Sequence, residues 1–179
     1  MKKIAITLVL FLTVLSSGLS AQHSVFSERH GGTLNLGLGI GGYSGYYGYI
    51  GHTLPVLHAN YEFDVARNFT LAPFATLYSY TDNNYRETVI PVGVKGTLYL
   101  DRLLRASSRW DFYGAGSLGF SLVSTRWDDG YNGDRTYYKT ASPLFLDLHL
   151  GTEFHLTNHL GLFLDLSTGV STIGLAIRY

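Results

Sequence analysis

The stretch Leu144-Phe145-Leu146-Asp147-Leu148-His149-Leu150-Gly151, resumed after a polar break as Leu160-Gly161-Leu162-Phe163-Leu164-Asp165-Leu166, decides how this chain is read. Its leucines recur at every second residue. Successive side chains on a strand point to opposite faces, whereas a helix needs a period near 3.6. The two segments are therefore read as antiparallel strands joined by a turn at His155–His159. One face of each is almost pure leucine, and the other carries Phe145, Asp147, His149, Gly151, Gly161, Phe163 and Asp165. For the whole chain the question is whether the leucine face meets a core or lipid.

The same alternation runs outward from this pair. Thr33 to Ile40 sets Leu34, Leu36, Leu38 and Ile40 on one face. Leu54 to Val65 alternates Leu57, Ala59, Tyr61, Phe63 and Val65 against His58, Asn60, Glu62 and Asp64, and a tight turn follows at Ala66-Arg67-Asn68. Phe69 to Ser79 is less regular: Leu71, Ala75 and Leu77 share a face, Phe74 and Tyr78 fall on the other, and Pro73 predicts a bulge or kink. Thr88 to Leu100 puts Ile90, Val92, Val94, Leu98 and Leu100 opposite Val89, Pro91, Gly93, Lys95, Thr97 and Tyr99. Trp110 to Ser124 and Ser171 to Tyr179 complete eight strands of about ten residues, with no helix expected. The long connections, Gly41–Thr53, Tyr80–Glu87 and Thr125–Ser142, alternate with short ones. With both termini on one side, all three long connections fall on the other.

Lys2-Lys3, the apolar run Ile4–Leu15 and the small residues up to Ala21 have the layout of a secretory signal peptide over residues 1–21. Residues 22–179 then form a single domain. They hold 11 basic and 13 acidic side chains, which is no electrostatic footprint for nucleic acid. Cys is 0, so neither a disulfide nor a thiolate metal site is available.

Period two fits a soluble barrel with leucines inside or a membrane barrel with leucines outside. Strand length matches a tilted bilayer span, and long loops alternate with short turns. Aromatics gather near strand ends: Phe63, Phe69, Trp110, Phe112, Phe154 and Tyr179 at one, Tyr78 and Tyr80 at the other. The chain stops on the aromatic of an alternating strand. These features predict an all-β, closed, antiparallel, eight-stranded up-and-down transmembrane β-barrel. Its inner face would carry Asn35, Glu62, Asp64, Lys95, Asp111, Asp147, His149, Asp165 and Arg178. An eight-stranded barrel has room inside only for side chains, so these should pair across a plugged lumen.

The segments Ile90–Leu100 and Trp110–Phe120 and the terminal Ile177-Arg178-Tyr179 carry a resemblance. The chain resembles the small eight-stranded outer-membrane barrels of Gram-negative bacteria, the OmpX-like and OmpA transmembrane-domain-like group. The resemblance implies an outer-membrane location, contact with membrane lipid or lipopolysaccharide, and insertion by the barrel-assembly machinery, whose recognition signal the last strand is similar to. No peptidoglycan-binding domain follows Tyr179, so the cell-wall tethering of two-domain relatives is not implied.

Chemistry-bearing patterns are sparse. His155-x-x-x-His159 has metal-compatible spacing but lies in a turn, with Glu153 the one nearby carboxylate, and structural zinc takes four ligands. Asp128–Asp134 departs from a calcium loop at Gly130 and at Lys139, where a bidentate Glu is required. Asp147 with His149, and Ser142 near the same strand end, is the nearest approach to an acid–base set, and no oxyanion donor accompanies it. No catalytic residue, metal or cofactor is expected. The loop aromatics Tyr43, Tyr46, Tyr47, Tyr49, Tyr85, Trp127, Tyr131, Tyr137 and Tyr138, set among Gly, Ser and Asn, have the composition of an adaptable binding surface. They also suit an aromatic girdle. The expected role is non-enzymatic: a structural or interaction barrel, possible accessory subunit of a larger outer-membrane complex. The alternatives are an enzyme modifying lipid A or surface peptides, and a soluble barrel binding an apolar ligand.

Overall fold

The computed structural model describes residues 30–42, 55–82, 84–104, 106–133 and 143–179. The signal peptide and the loop tyrosines Tyr43, Tyr46, Tyr47, Tyr49, Tyr137 and Tyr138 lie outside the described residues. Eight strands form: β1 (Thr33–Gly41), β2 (Val56–Ala66), β3 (Phe69–Asp82), β4 (Tyr85–Tyr99), β5 (Trp110–Trp127), β6 (Leu144–His155), β7 (Leu160–Ser167) and β8 (Val170–Arg178). Each pairs antiparallel with the next, and β8 pairs with β1, so the sheet closes into a barrel with no free edge at the seam.

Alternation sorts the side chains. Leu146 is 74 % exposed and its neighbour Asp147 1 %. The leucines of β6 and β7, with Leu36, Leu38, Leu118, Phe120, Ile173 and Leu175, form an outward apolar belt. A belt of that extent is far larger than the apolar patches a monomer tolerates in water, and it is the surface a barrel offers to acyl chains. Trp110, Phe112 and Phe154 gather at the turn end of this belt, with ring centroids 6.1 Å and 4.7 Å from the Trp110 ring.

Four expectations are corrected. The connection after β4 is not plain coil: Asp101–Leu104 makes one helical turn, α1, with Leu104 N–H donating to Leu100 O at 2.9 Å. The segment Tyr80–Glu87 is chiefly strand. β4 and β5 stay in unbroken register from Tyr99↔Tyr113 to Tyr85↔Trp127, because alternation persists beyond the belt while the outward residues turn polar. Pro73 produces no register shift. The β2–β3 irregularity lies between Asp64 and Ala66, beside a turn in which Asn68 takes φ 58°, a left-handed conformation Asn tolerates. Tyr78, expected near the girdle, points inward and is 1 % exposed.

The interior is layered. Polar and charged groups fill the turn end and the middle. An apolar cluster of Val56, Tyr78, Val89 and Val170 lies towards the loop end, with the buried Glu87 beyond Val89 on β4 and the Phe74 and Phe145 rings 6.1 Å apart. Bulk on one strand is matched by glycine on the next. Tyr113 pairs with Gly151, where any Cβ would lie 2.2 Å from the tyrosine ring.

Candidate functional site

The charged interior resolves into two networks. The first centres on Asp165. Lys95 Nζ donates to Asp165 Oδ2 at 3.1 Å, and Tyr113 O–H donates to the same oxygen at 3.1 Å. His149 Nδ1 lies 2.7 Å from Asp165 Oδ1, and His149 Nε2 lies 3.0 Å from Ser117 Oγ. With Nδ1–H given to Asp165, Nε2 is the nitrogen left to accept the Ser117 hydroxyl. Asp147 accepts from Thr168 Oγ1 and keeps Oδ2 3.6 Å from His149 Nε2. Lys95 also sits 5.4 Å over the Tyr113 ring.

The second network lies at the turn end. Glu62 accepts from Asn35 Nδ2 at 2.8 Å, Thr70 Oγ1 at 2.7 Å and Tyr99 O–H at 2.8 Å. Arg178 Nη2 bridges Asp111 Oδ2 at 3.1 Å and Glu153 Oε1 at 3.0 Å. Arg178 Nη1 donates to His155 Nδ1 at 2.5 Å, which leaves His155 Nε2–H to donate to Asp111 Oδ2 at 2.8 Å. Outside the strands, Asp101 on α1 accepts from Phe112 N–H at 2.6 Å. Burial pushes the Asp101 carboxyl above the ordinary carboxylate range, and this amide bond partly offsets the shift.

Of the residues singled out for the interior, Glu62, Lys95, Asp111, Asp147, His149, Asp165 and Arg178 meet in these two networks. Asp64 does not. It is exposed at the rim, where Oδ1 accepts from the backbone amides of His30 and Gly31 at 3.3 Å and 2.9 Å. Parity alone would also have found Tyr99, Tyr113, Ser117 and Glu153, which share the inward face. His30 and Asp101 lie off the strands and carry no such signal. His155 and His159 do not converge: His155 joins the interior network, and His159 is exposed, with Nδ1 3.3 Å from the Arg178 carbonyl.

At the loop end, Tyr85 is not a loop residue. It faces inward on β4 and packs against Trp127 at 5.2 Å. Trp127 stacks on Tyr131 at 5.0 Å with planes 9° apart. On the outward face of the same hairpin, Arg86 and Arg126 are directly opposite one another, both exposed. Thr88 and Ser124 follow towards the membrane, then the apolar pair Ile90 and Leu122. An outward groove of about 680 Å³ lies over Leu36, Leu57, Leu77, Ile90 and Ile173, with Ala59 and Ala75 in its floor.

No family model and no curated protein matches this chain. The fold is that of a small eight-stranded outer-membrane-type barrel. The outward belt and the closed ladder decide this by themselves. Among solved structures, the chain is similar to a de novo designed transmembrane β-barrel at 11 % identity and TM-score 0.46, over 85 % of this chain and 99 % of the designed one. It is likewise similar to the outer membrane protein Ail of Yersinia pestis, solved in a phospholipid bilayer nanodisc, at 10 % identity and TM-score 0.46, over 83 % of this chain and 99 % of that one.

Proposed function

We propose that the protein is a non-enzymatic integral barrel of a Gram-negative outer membrane, plugged by its own charged interior, that acts through its loop end on surface partners or within a larger membrane complex. The observation that carries this reading is the pairing of an outward leucine belt with an inner face of charged residues tied by ion pairs and hydrogen bonds across the lumen. Lys95–Asp165 and Arg178–Asp111–Glu153 span the lumen where a pore would need free space. In this reading the loop end meets the partner: Trp127 and Tyr131 stack there, next in sequence to a Tyr-rich loop. The turn end, with its short connections, faces the periplasm in this reading.

The enzymatic alternative has one observation on its side. Ser117, His149 and Asp165 are bonded in the order nucleophile, base, orienter. Ser117 is 2 % exposed within the barrel wall, and the neighbouring backbone amides serve the strand ladder, so substrate access and an oxyanion donor are both wanting. A buried hydrogen-bonded network accounts for the three residues.

The test deletes residues 131–138. The shortened protein is expected to stay in the outer-membrane fraction with its heat-modifiable mobility, and to lose the crosslinked partners that the full chain captures. Unchanged capture would overturn the loop-end role. Recovery of the full chain in the periplasm would overturn the membrane assignment.

A further inference from the structure

We propose that His30, Asp101 and Asp111 form a divalent-metal site of the zinc type at the turn-end mouth of the barrel. The three residues belong to the lead into β1, to α1 and to the start of β5. One ligand atom from each lies within 4.8 Å of the others; His30 and Asp111 are buried and Asp101 is half-buried.

The His30 ring is the reason to place a cation here. It is 3 % exposed and fixed by stacking on Tyr99, with centroids 3.8 Å apart and planes 7° apart. Among the described residues its nitrogens make no hydrogen bond of ordinary length. Nδ1 stands 3.6 Å from Asp111 Oδ2, and Nε2 stands 3.9 Å from Asp101 Oδ2. Those gaps are too wide for hydrogen bonds. One ion takes one imidazole nitrogen, and with one ligand atom from each residue the three atoms lie within 4.8 Å of one another, a spread that zinc, which takes nitrogen and oxygen at about 2.0–2.2 Å, can draw together.

The surrounding groups behave as supports for such a site. Phe112 N–H holds Asp101 Oδ1 and leaves Oδ2 turned towards His30. His155 Nε2 and Arg178 Nη2 both bond Asp111 Oδ2, the oxygen that also faces His30 Nδ1, and so hold that carboxylate in place. Orientation of ligand carboxylates by hydrogen-bonded neighbours is what outer-shell residues supply in metal sites. Charge points the same way. Asp101, Asp111, Glu153 and Glu62 crowd this end of the interior, and Arg178 is the one strongly basic side chain bonded among them in the described residues. A divalent ion with neutral His30 and two ionised aspartates makes a locally neutral set, with a water in the fourth position. The bound ion would tie the segment before β1 to α1 and β5, and so close the mouth at the terminal side.

The experiment uses the folded, untagged barrel in detergent micelles, stripped with chelator and titrated with zinc chloride by calorimetry. One zinc per chain is expected, with a rise in the thermal unfolding midpoint. His30→Ala and Asp101→Asn should each weaken binding at least about 100-fold, the upper end of what the loss of a mere outer-shell partner costs. Both positions lie off the strands, so the variants should still show the heat-modifiable mobility of the folded barrel. His159→Ala, which removes the exposed turn histidine, should bind as the parent does. Failure of the parent to bind zinc would overturn the site. So would unchanged binding in His30→Ala and Asp101→Asn, or loss of binding in His159→Ala alone.

Discussion

At the scale of single residues, the Lys95–Asp165 pair shows what the interior costs and returns. Both groups are buried and 3.1 Å apart. Two buried ions recover their desolvation only through each other and their other hydrogen bonds, so removing one partner is worse than removing both. Lys95→Met leaves Asp165 to Tyr113 and His149, and should lower stability by about 3–5 kcal/mol in urea unfolding of the micelle-embedded barrel. Lys95→Met combined with Asp165→Leu should recover much of that loss. A double variant that loses the sum of the two singles would show the charges acting independently. These residues were legible in the sequence because alternation assigns a face without knowledge of partners. The partners themselves were not: Lys95 and Asp165 are 70 positions apart, and closure alone brings them together. Asp64 shows the limit of parity. It has the inward phase, yet it lies at the strand end beside the bulge at Asp64/Ala66, and it turns to cap the chain at His30 and Gly31.

At the scale of elements, the β4–β5 hairpin carries the clearest departure from the sequence reading. Asp82-Asn83-Asn84 reads as the centre of a polar loop, but the ladder continues to Tyr85↔Trp127. Turn-forming residues mark where a chain reverses and say little about how far the strands run before it. The extension puts Arg86 opposite Arg126, a like-charge pair that is unfavourable on its own. Hydroxyls of Thr88 and Ser124 lie on its membrane side, above Ile90 and Leu122, the level at which lipid phosphates would sit. An anionic headgroup between the two guanidiniums would offset the repulsion. Wild-type barrel should therefore retain phosphatidylglycerol over phosphatidylcholine in native mass spectrometry. Arg86→Gln with Arg126→Gln should lose that preference while unfolding no more easily in neutral detergent. Equal retention of both lipids by the parent would count against headgroup binding.

At the scale of the whole molecule, the barrel is built inside out, with charge within and leucine without. Leu148 stands near the middle of the β6 belt, between Leu144 and the aromatic Phe154, and is 63 % exposed. If that exposure is to acyl chains, Leu148→Arg must bring a guanidinium close to the bilayer midplane, at a cost of about 2–4 kcal/mol. If it is to water, the same change relieves an exposed apolar side chain and costs almost nothing. The two solvents thus assign opposite outcomes to one substitution. The expected result is a loss of stability of that size in urea titrations of barrel folded into phospholipid vesicles. Asn158→Arg, in the exposed β6–β7 turn, should be nearly silent in the same vesicles. The contrast between a mid-belt arginine and a turn arginine separates membrane depth from a general intolerance of charge, because both residues are exposed and only their distance from the headgroups differs.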